Sequence, residues 1–335
     1  MKLTPGKLSG LKAVSNRHGV IAAAAMDQRG SLAKSLAKEK GAEITDANME
    51  EFKSLVTEIL TQHASAILLD PEWGLPASKR RQNNAGLLLA YEKTGYDKTE
   101  PGRLPDLLDN WSVQRLKEAG ADCIKILLYY TMTDGKETND IKHAWVERIG
   151  DECRANDIPF FLECVGYQEG VDEKGPEFAK KKPEIVIDYM REFSKDKYGV
   201  DVLKVEVPIN MKYVEGSGVY AGTTAYTKKQ AADHFKEAAQ ATTKPFIYLS
   251  AGVSNAEFTE TLRFVGEVGV KYNGVLCGRA TWADGVKVYA KQGADAFRKW
   301  LETEGVKNIE AVNDALKGAT SWYDKYGVHE AVGAR

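Results

Sequence analysis

The chain has 335 residues, of which 43% are hydrophobic and 28% charged, and its formal net charge is -2. These values are ordinary for a globular protein, and a near-neutral chain without a basic block argues against nucleic acid or an anionic membrane as a partner. No window holds the roughly 18 apolar residues that span a bilayer, and the N-terminal sequence lacks the apolar core of a signal peptide. We therefore expect a cytoplasmic protein.

The cysteines and histidines give no sign of a metal site. The four cysteines form no CxxC pair and mostly lie in apolar runs, which is typical of reduced core thiols. The five histidines are scattered, whereas metal ligation needs clustered ligands. The sequence therefore predicts neither disulfides nor a bound metal. The cysteines are Cys123, Cys153, Cys164 and Cys277.

Eight short apolar runs follow one another along the chain, separated by longer segments. The runs are continuous rather than alternating, which is typical of parallel strands covered by helices. Amphipathic helices are predicted between them, and Thr45 or Asp46 is a candidate N-cap for the first. The runs cover residues 20–27, 66–70, 86–92, 123–130, 160–167, 202–208, 246–252 and 274–280, and the clearest helices cover 45–63, 141–157 and 256–270.

One (β/α)8 barrel, a TIM barrel, is the simplest account of eight such units. We expect a single domain over residues 1–335, with the barrel at about 18–325 and a short flexible C-terminal tail. Residues 71–85 look too short for a crossover helix, so the barrel is distorted there or the count is off by one. The alternative, an open doubly wound sheet, usually carries a Gly-rich turn after its first strand, where this chain has MDQRGS. Residues 171–183 and 214–227 are predicted to be polar loops, either covering an active site or exposed.

Lys204 interrupts the sixth apolar run, VDVLKVEVP. Successive side chains of a strand point to opposite faces, so Lys204 and Glu206 share one face and the residues between them share the other. That second face is aliphatic and suits the side under the helices. We therefore expect Lys204 to point into the barrel, where an ammonium group is costly unless it is paired or neutral.

Lys204 has charged counterparts in other runs. Lys125 lies in the fourth run, Glu163 in the fifth, and Asp27 ends the first. In a barrel these side chains converge, and catalytic groups sit at the carboxyl ends of the strands. A buried ion-pair network explains any one of them, but the whole set favours a reactive site.

The pairing of lysines with carboxylates suggests a particular chemistry. Poor solvation and a neighbouring cation both favour the neutral amine, which is a nucleophile for a carbonyl carbon. A nearby carboxylate can carry the protons that carbinolamine formation and dehydration require. The set therefore indicates Schiff-base chemistry on a ketone or aldehyde, with no metal or organic cofactor.

The ends of the last two runs predict a phosphate site. Ser250 and Gly252 close the seventh run, and an S-x-x-E capping box then opens a helix at Ser254. Gly278 lets the backbone after the eighth run approach a ligand closely, and Arg279 offers a charged fork. Phosphate sites of such barrels often follow strands seven and eight.

Several long blocks resemble one family, the class I tagatose-1,6-bisphosphate aldolases. The resemblance runs from about residue 18 to about residue 325, and extends more weakly to other class I aldolase barrels. The blocks are MDQRGSL, LLDPEWGLPAS, GLLLAYEKTGYD, GRLPDLL, VDVLKVEVPINMKYVEG, YLSAGVS and NGVLCGRATW. The resemblance implies a TIM barrel that cleaves a ketohexose 1,6-bisphosphate into glycerone phosphate and glyceraldehyde 3-phosphate, in the tagatose 6-phosphate pathway of lactose and galactose catabolism.

The resemblance also implies roles for residues. Lys204 is implied to be the Schiff-base lysine, Glu163 the general acid/base, and Lys125 a second lysine that favours the neutral form of Lys204. Asp27 is implied to bind sugar hydroxyls near the bond that breaks, and either Asp27 or Glu163 is the C4 base. The C1 phosphate is implied at Ser250, Gly252, Gly278 and Arg279, with Gln28 and Arg29 as candidates for the other phosphate or the sugar.

Other functions remain open on the sequence alone. Tagatose and fructose bisphosphates differ at C4, and no residue pattern distinguishes that stereocentre. A sulfofructose-phosphate aldolase or a transaldolase would use similar Schiff-base chemistry. A phosphosugar sensor without catalysis is disfavoured, since Lys204 and Glu163 are both present. A symmetric homo-oligomer is expected for a soluble enzyme, and the role of Glu206 is left unassigned.

Overall fold

The centre of the computed structural model, which describes residues 3–93 and 100–328, is a closed barrel of eight parallel strands. The strands are β1 (Ile21–Met26), β2 (Ala66–Leu69), β3 (Gly86–Ala90), β4 (Cys123–Tyr130), β5 (Phe160–Gly166), β6 (Val202–Glu206), β7 (Phe246–Leu249) and β8 (Gly274–Cys277). Each pairs with its neighbours in chain order, and β8 closes the ring against β1. Every apolar run is therefore a strand, and the predicted TIM barrel is confirmed.

Helices surround the barrel and continue past its last strand. They are α1 (Pro5–Ala13), α2 (Gly30–Lys40), α3 (Asp46–Leu60), α4 (Gly74–Ser78), α5 (Val113–Glu118), α6 (Lys136–Ala155), α7 (Pro176–Phe193), α8 (Lys228–Gln240), α9 (Asn255–Glu267), α10 (Arg279–Trp282), α11 (Gly285–Gln292), α12 (Ala294–Trp300), α13 (Val306–Ala315) and α14 (Tyr323–Tyr326). A π-helical segment, Leu301–Gly305, joins α12 to α13.

Two connections differ from what the sequence predicts. The segment 71–85 holds the five-residue helix α4, so the count of eight strands is right and the crossover is only shortened. The predicted polar loop 171–183 is wrong from Pro176 onward, because α7 begins there. A proline in the first helical turn costs no helical hydrogen bond, and Phe178 and Ala179 behind it are buried. Within 214–227, Val214–Glu215 and Tyr226–Thr227 pair as two short strands.

Capping residues fix where two helices start. The Thr45 hydroxyl accepts a hydrogen bond from the backbone N–H of Asn48, whose side chain caps the Thr45 N–H in return. Ser254 and Glu257 form the predicted capping box at α9. Both predictions are confirmed, and each box satisfies backbone donors that an open helix end would leave exposed.

The core has two layers, one on each side of the barrel wall. Outward-facing strand residues such as Leu203 and Val205 pack under the helices, whereas inward-facing residues such as Val202 and Leu68 fill the barrel. The inner cluster also contains Leu11 from α1 and the fully buried Trp322. The amino-terminal end of the barrel is therefore closed by packed side chains, which leaves the carboxyl end as its mouth.

The four cysteines all lie within the described residues, where each is buried with its thiol free. Burial raises the pKa of the Cys123 thiol well above its ordinary value, which is typical of unreactive core thiols. Over residues 3–93 and 100–328, no helix is both long and apolar enough to cross a membrane. The tail expected at the C-terminus, from residue 329, lies outside the described residues.

Candidate active site

Lys204 points into the barrel, as its place in β6 predicts. Strands β5 and β6 are in register so that Glu163 lies directly beside Lys204. The Lys204 side chain is only 4% exposed, and its Nζ is 2.8 Å from Oε2 of Glu163. The strand therefore buries its lysine against a carboxylate at the centre of the barrel.

Lys125 occupies the middle of the same cluster. Its Nζ lies 2.8 Å from Asp27 Oδ2, 2.8 Å from Glu92 Oε1 and 2.8 Å from Glu163 Oε2. Glu163 thus bridges the two lysines through one oxygen. The structure brings together all four residues that the sequence assigns to catalysis, three on β4, β5 and β6 and Asp27 directly after β1.

The charged groups of this cluster shift one another's pKa values. Burial alone would lower the pKa of Lys125, but the carboxylates of Asp27, Glu163 and Glu92 hold that pKa well above its ordinary value. Burial alone would raise the pKa of Asp27 and of Glu163, yet the neighbouring lysines hold both below their usual range. Lys125 is therefore a cation held between ionised carboxylates.

Glu92 is a member of the cluster that the sequence analysis missed. It follows β3, is 4% exposed, and contacts Lys125 directly. A signal was present, because Glu92 ends the third apolar run just as Asp27 ends the first. The criterion that identified Asp27, a charged residue at the end of an apolar run, would also have identified Glu92.

Arg29 is buried behind Glu92. Its Nη2 donates a hydrogen bond of 2.7 Å to the backbone oxygen of Glu92, and its Nη1 lies 3.4 Å from Glu72 Oε2. The side chain is only 2% exposed. Its two terminal nitrogens thus contact protein groups, its Nε is buried with no aligned hydrogen bond among the described residues, and a role in binding substrate stays a prediction.

Lys53 is a second residue that the sequence analysis missed. It lies on α3, fully buried, and its Nζ donates to the carbonyl oxygens of Met26 at 2.8 Å and Gln28 at 2.7 Å. The same nitrogen meets Asp70 Oδ1 at 2.5 Å. Lys53 therefore holds the two peptide carbonyls on either side of Asp27.

The predicted phosphate ligands meet at the ends of β7 and β8. Gly252 has a φ of +76°, and a Cβ on it would lie 2.7 Å from Cζ of Arg279. Glycine suits this position because the backbone takes a left-handed conformation, and any side chain there would have to push the guanidinium aside. Arg279 is exposed and, within the described chain, has no ion-pair partner.

The other predicted phosphate ligands surround this pair. The Ser250 hydroxyl lies beside the Cys277 thiol, where it opposes the rise in the thiol pKa that burial causes, so the two strand ends meet there. Gly278 follows β8 and lies close to β1, since a Cβ on it would be 2.8 Å from the backbone oxygen of Ala25. Gln28 and Arg279 both line a groove of about 430 Å³ between α2 and α11. The exposed guanidinium of Arg279 beside the glycine backbone suits an anion.

Glu206 contacts Gly166 and Lys182. Its Oε2 accepts a 2.7 Å hydrogen bond from the Gly166 N–H, and its Oε1 lies 3.1 Å from Lys182 Nζ. These contacts tie the end of β6 to the end of β5 and to α7. They give Glu206 a structural part in spacing the two strands that carry Glu163 and Lys204.

The closed parallel barrel, with two buried lysines and a cluster of three carboxylates at its carboxyl end, is that of a TIM-barrel enzyme. Residues 21–284 match the model of the DeoC/LacD family aldolases. The chain belongs to this family and is accordingly a lyase. Among the described residues, no group of three or more His, Cys, Asp or Glu side chains is arranged to hold a metal ion.

Relatives named as tagatose 1,6-diphosphate aldolases match nearly the whole chain. A tagatose 1,6-diphosphate aldolase of Listeria monocytogenes serotype 4a (strain HCC23) is 54% identical over 334 residues, or 99% of this chain and 98% of the relative. Another, of Staphylococcus aureus (strain JH9), is 56% identical over 318 residues, or 94% and 97%. The solved fructose-bisphosphate aldolase of Plasmodium falciparum, in complex with TRAP and an inhibitor, has a TM-score of 0.65 with 16% identity over 99% of this chain and 98% of that one. At that identity the likeness extends to the fold alone.

Proposed function

We propose that the protein is a class I aldolase that cleaves D-tagatose 1,6-bisphosphate into glycerone phosphate and D-glyceraldehyde 3-phosphate. The observation that carries this proposal is the buried Lys204 amine 2.8 Å from Glu163, which itself contacts the fixed cation Lys125. The relatives named for this substrate match the chain over nearly its full length. Related ketohexose bisphosphates fit the same chemistry.

Lys204 begins the reaction as a nucleophile. Its neutral amine attacks C2 of the open-chain ketose, and the carbonyl oxygen takes up a proton to give a carbinolamine. Glu163 lies within hydrogen-bond reach of the amine, so it is placed to accept the amine proton and deliver it to the departing hydroxyl. Loss of water leaves an iminium ion between Lys204 and C2.

The iminium nitrogen then takes the electrons of the breaking bond. A base removes the proton of the C4 hydroxyl, a carbonyl forms at C4, and the C3–C4 electron pair passes into an enamine. Glyceraldehyde 3-phosphate leaves at this point. Protonation of C3 and hydrolysis of the iminium release glycerone phosphate and regenerate Lys204. Because the nitrogen supplies the electron sink, we propose that no metal or organic cofactor takes part.

Two carboxylates are placed for the C4 step. Asp27 and Glu163 both contact Lys125, so both lie at the centre of the mouth where C3 and C4 would pass. Lys125 would stay protonated and donate to the substrate hydroxyls. The C1 phosphate would lie against Arg279, Gly252 and the Ser250 hydroxyl.

The proposal is tested by trapping the intermediate. The protein is incubated with glycerone phosphate, reduced with borohydride, and analysed by intact mass and peptide mapping. We expect one reduced adduct on Lys204, and none in Lys204→Met. An adduct on another lysine, or none at all in an active wild-type protein, would falsify the assignment.

Two further variants separate the candidates for the C4 base. Glycerone phosphate needs the proton transfers of Schiff-base formation but no C4 base. If Asp27 is the base, Asp27→Asn forms the adduct at the wild-type rate and cleaves the bisphosphate roughly 100-fold or more slowly. If Glu163 serves both steps, Glu163→Gln loses trapping and cleavage together, and Asp27→Asn keeps most of its cleavage.

A further inference from the structure

Arg103 is a buried arginine at the mouth of the barrel that the reaction described above does not use. It lies in the connection between β3 and α5, with a φ of +43°, and its side chain is 7% exposed. Its Cζ lies 4.0 Å from the ring centroid of Tyr167 and 5.1 Å from that of Tyr129. A non-glycine residue in the left-handed region is uncommon and is retained where surrounding contacts hold it.

Tyr129 places Arg103 relative to the catalytic cluster. Side chains alternate along β4, so Tyr129 is on the same inward face as Lys125, four residues nearer the mouth. Burial is the main cause that raises the pKa of Tyr129, and the Glu173 carboxylate is the next. The Arg103 guanidinium lowers that pKa, and the Glu163 carboxylate raises it more weakly. The Tyr129 ring, 5.1 Å from Arg103 Cζ and on the same face of β4 as Lys125, therefore connects Arg103 to the strand that carries Lys125.

The order of strands in the barrel places Arg103 opposite the first phosphate site. The ring runs from β1 to β8 in chain order and closes on itself, so the junction of β3 and β4 faces the junction of β7 and β8. Arg279 and Gly252 stand at the β7–β8 side. Arg103 follows β3 and rests on a β4 side chain, with Lys204, Glu163 and Lys125 on the strands between.

The guanidinium of Arg103 has donors to spare. Its Nη1 meets Glu173 Oε1 at 2.6 Å, and its Nε is 3.9 Å from Glu169 Oε1. Among the described residues, Nε and Nη1 have no aligned hydrogen bond although both atoms are buried. The paired carboxylates are more exposed, at 52% for Glu169 and 27% for Glu173. A buried guanidinium with unmet donors and a displaceable partner is suited to a phosphate.

Other cations near this side of the mouth are engaged. Lys142 is fully buried between Asp134 at 2.6 Å and the Tyr167 hydroxyl at 3.1 Å, and Tyr167 in turn donates to Asp134. This network fixes the Tyr167 ring as the platform on which the Arg103 guanidinium lies. Arg29 donates through Nη2 to the Glu92 backbone oxygen, although its Nε, like that of Arg103, has no aligned hydrogen bond among the described residues.

We propose that Arg103 binds the C6 phosphate of the ketohexose bisphosphate, exchanging its contact with Glu173 for the phosphate oxygens. The proposal rests on the proposed aldolase function and adds the site for the second phosphate. The substrate then spans the mouth, with its C1 phosphate at Arg279 and its C6 phosphate at Arg103. The product that carries the C6 phosphate leaves from the Arg103 side.

The test compares a bisphosphate with a ketohexose 1-phosphate, which lacks the C6 group. Arg103→Met should raise KM for tagatose 1,6-bisphosphate roughly 10- to 100-fold, the equivalent of one charge-assisted contact, while kcat/KM for the 1-phosphate changes less than about twofold. Arg103→Lys should give an intermediate KM. Equal losses on both substrates, or an unchanged KM for the bisphosphate, would overturn the proposal.

A second variant tests the exchange and does not depend on how well Arg103→Met folds. Glu173→Gln removes the competing charge and keeps Arg103, so KM for the bisphosphate should fall while the 1-phosphate is unaffected. A rise in KM for the bisphosphate would contradict the exchange. Borohydride trapping with glycerone phosphate serves as the separate readout. If no adduct forms in the wild type, the aldolase assignment fails. If trapping is normal but KM for the bisphosphate is unaltered in Arg103→Met, only the Arg103 site is refuted.

Discussion

Glu163 serves two lysines at once, since one of its oxygens lies 2.8 Å from both amino nitrogens. The two lysines are not equivalent partners. Lys125 has three carboxylates around it, which hold its pKa far above its ordinary value, so it keeps its proton throughout. In the proposed reaction, proton exchange by Glu163 is therefore confined to the Lys204 side, where bonds form and break.

Asp27 leads to a prediction about acid stability. The lysines around it overcome the effect of burial and hold the pKa of its carboxyl well below the ordinary 3.8. A group with a depressed folded pKa contributes stability that is fully present above its unfolded pKa and is lost as the pH falls toward the folded pKa. The contribution of Asp27 should thus be complete at neutral pH and decline below about pH 4.

Urea unfolding of Asp27→Asn and the wild type over a pH series measures this contribution. We expect the wild type to be more stable from about pH 5 upward and the difference between the two proteins to narrow below about pH 4. Asp314→Asn, which changes an exposed aspartate on α13, is the matched control. A difference that stays constant down to about pH 3 would show that the native carboxyl has no depressed pKa.

Helix α3 acts on the site through Lys53, which secures the end of β1. Lys53→Met would leave the buried Asp70 carboxylate without its partner, so we expect a loss of about 3–5 kcal/mol in the free energy of unfolding. Because the carbonyls flanking Asp27 lose their donor, kcat should fall at a temperature where the variant is still folded. The double variant Lys53→Met/Asp70→Asn should recover part of the stability.

Chemical denaturation and steady-state kinetics check both effects. Lys34→Met, on the exposed face of α2, controls for the loss of a lysine charge. A folded Lys53→Met protein with wild-type kcat would show that the lysine supports stability alone and does not position Asp27.

The strands were predictable from the sequence because local pattern determines them. Continuous apolar runs identify each strand, and alternation within β6 assigns Lys204 to the inner face. The capping boxes at Thr45 and Ser254 are equally local. The start of α7 was not predicted, because a lysine-rich segment with prolines resembles a loop in sequence. Only the fold shows that its apolar side chains are buried.

The unpredicted site residues depend on packing between distant segments. Lys53 lies in an amphipathic helix, where a lysine is ordinarily a surface residue, and only the fold brings it to the carbonyls of Met26 and Gln28. Arg103 lies in a loop, and its position over Tyr129 and Tyr167 joins three segments. Glu92 is different, because its place at the end of a buried run was a usable signal.

At the scale of the whole molecule, the closed end of the barrel contributes to stability and contains none of the proposed catalytic residues. Trp322 is fully buried and packs with residues of α1 and the first residues of several strands. Trp322→Ala should lower the free energy of unfolding by about 3–5 kcal/mol through lost burial and the remaining cavity. Its kcat and KM should remain those of the wild type, because the catalytic residues lie toward the opposite end.

Denaturation by urea and kinetics at a temperature well below unfolding measure the two quantities separately. Tyr220→Ala, at a residue 37% exposed, is the control for removing an aromatic side chain from a surface. A large change in kcat in folded Trp322→Ala would mean that packing at the closed end reaches the mouth.

The packed floor of the barrel also fixes the sequence of events in a catalytic cycle. Substrate and both products have to share one opening, and in the proposed reaction glycerone phosphate stays covalently attached to Lys204 after glyceraldehyde 3-phosphate is free. Release is therefore ordered, with glyceraldehyde 3-phosphate first. In the direction of synthesis the same constraint makes the ketone the leading substrate, since an aldehyde that entered first would stand between the opening and the amine.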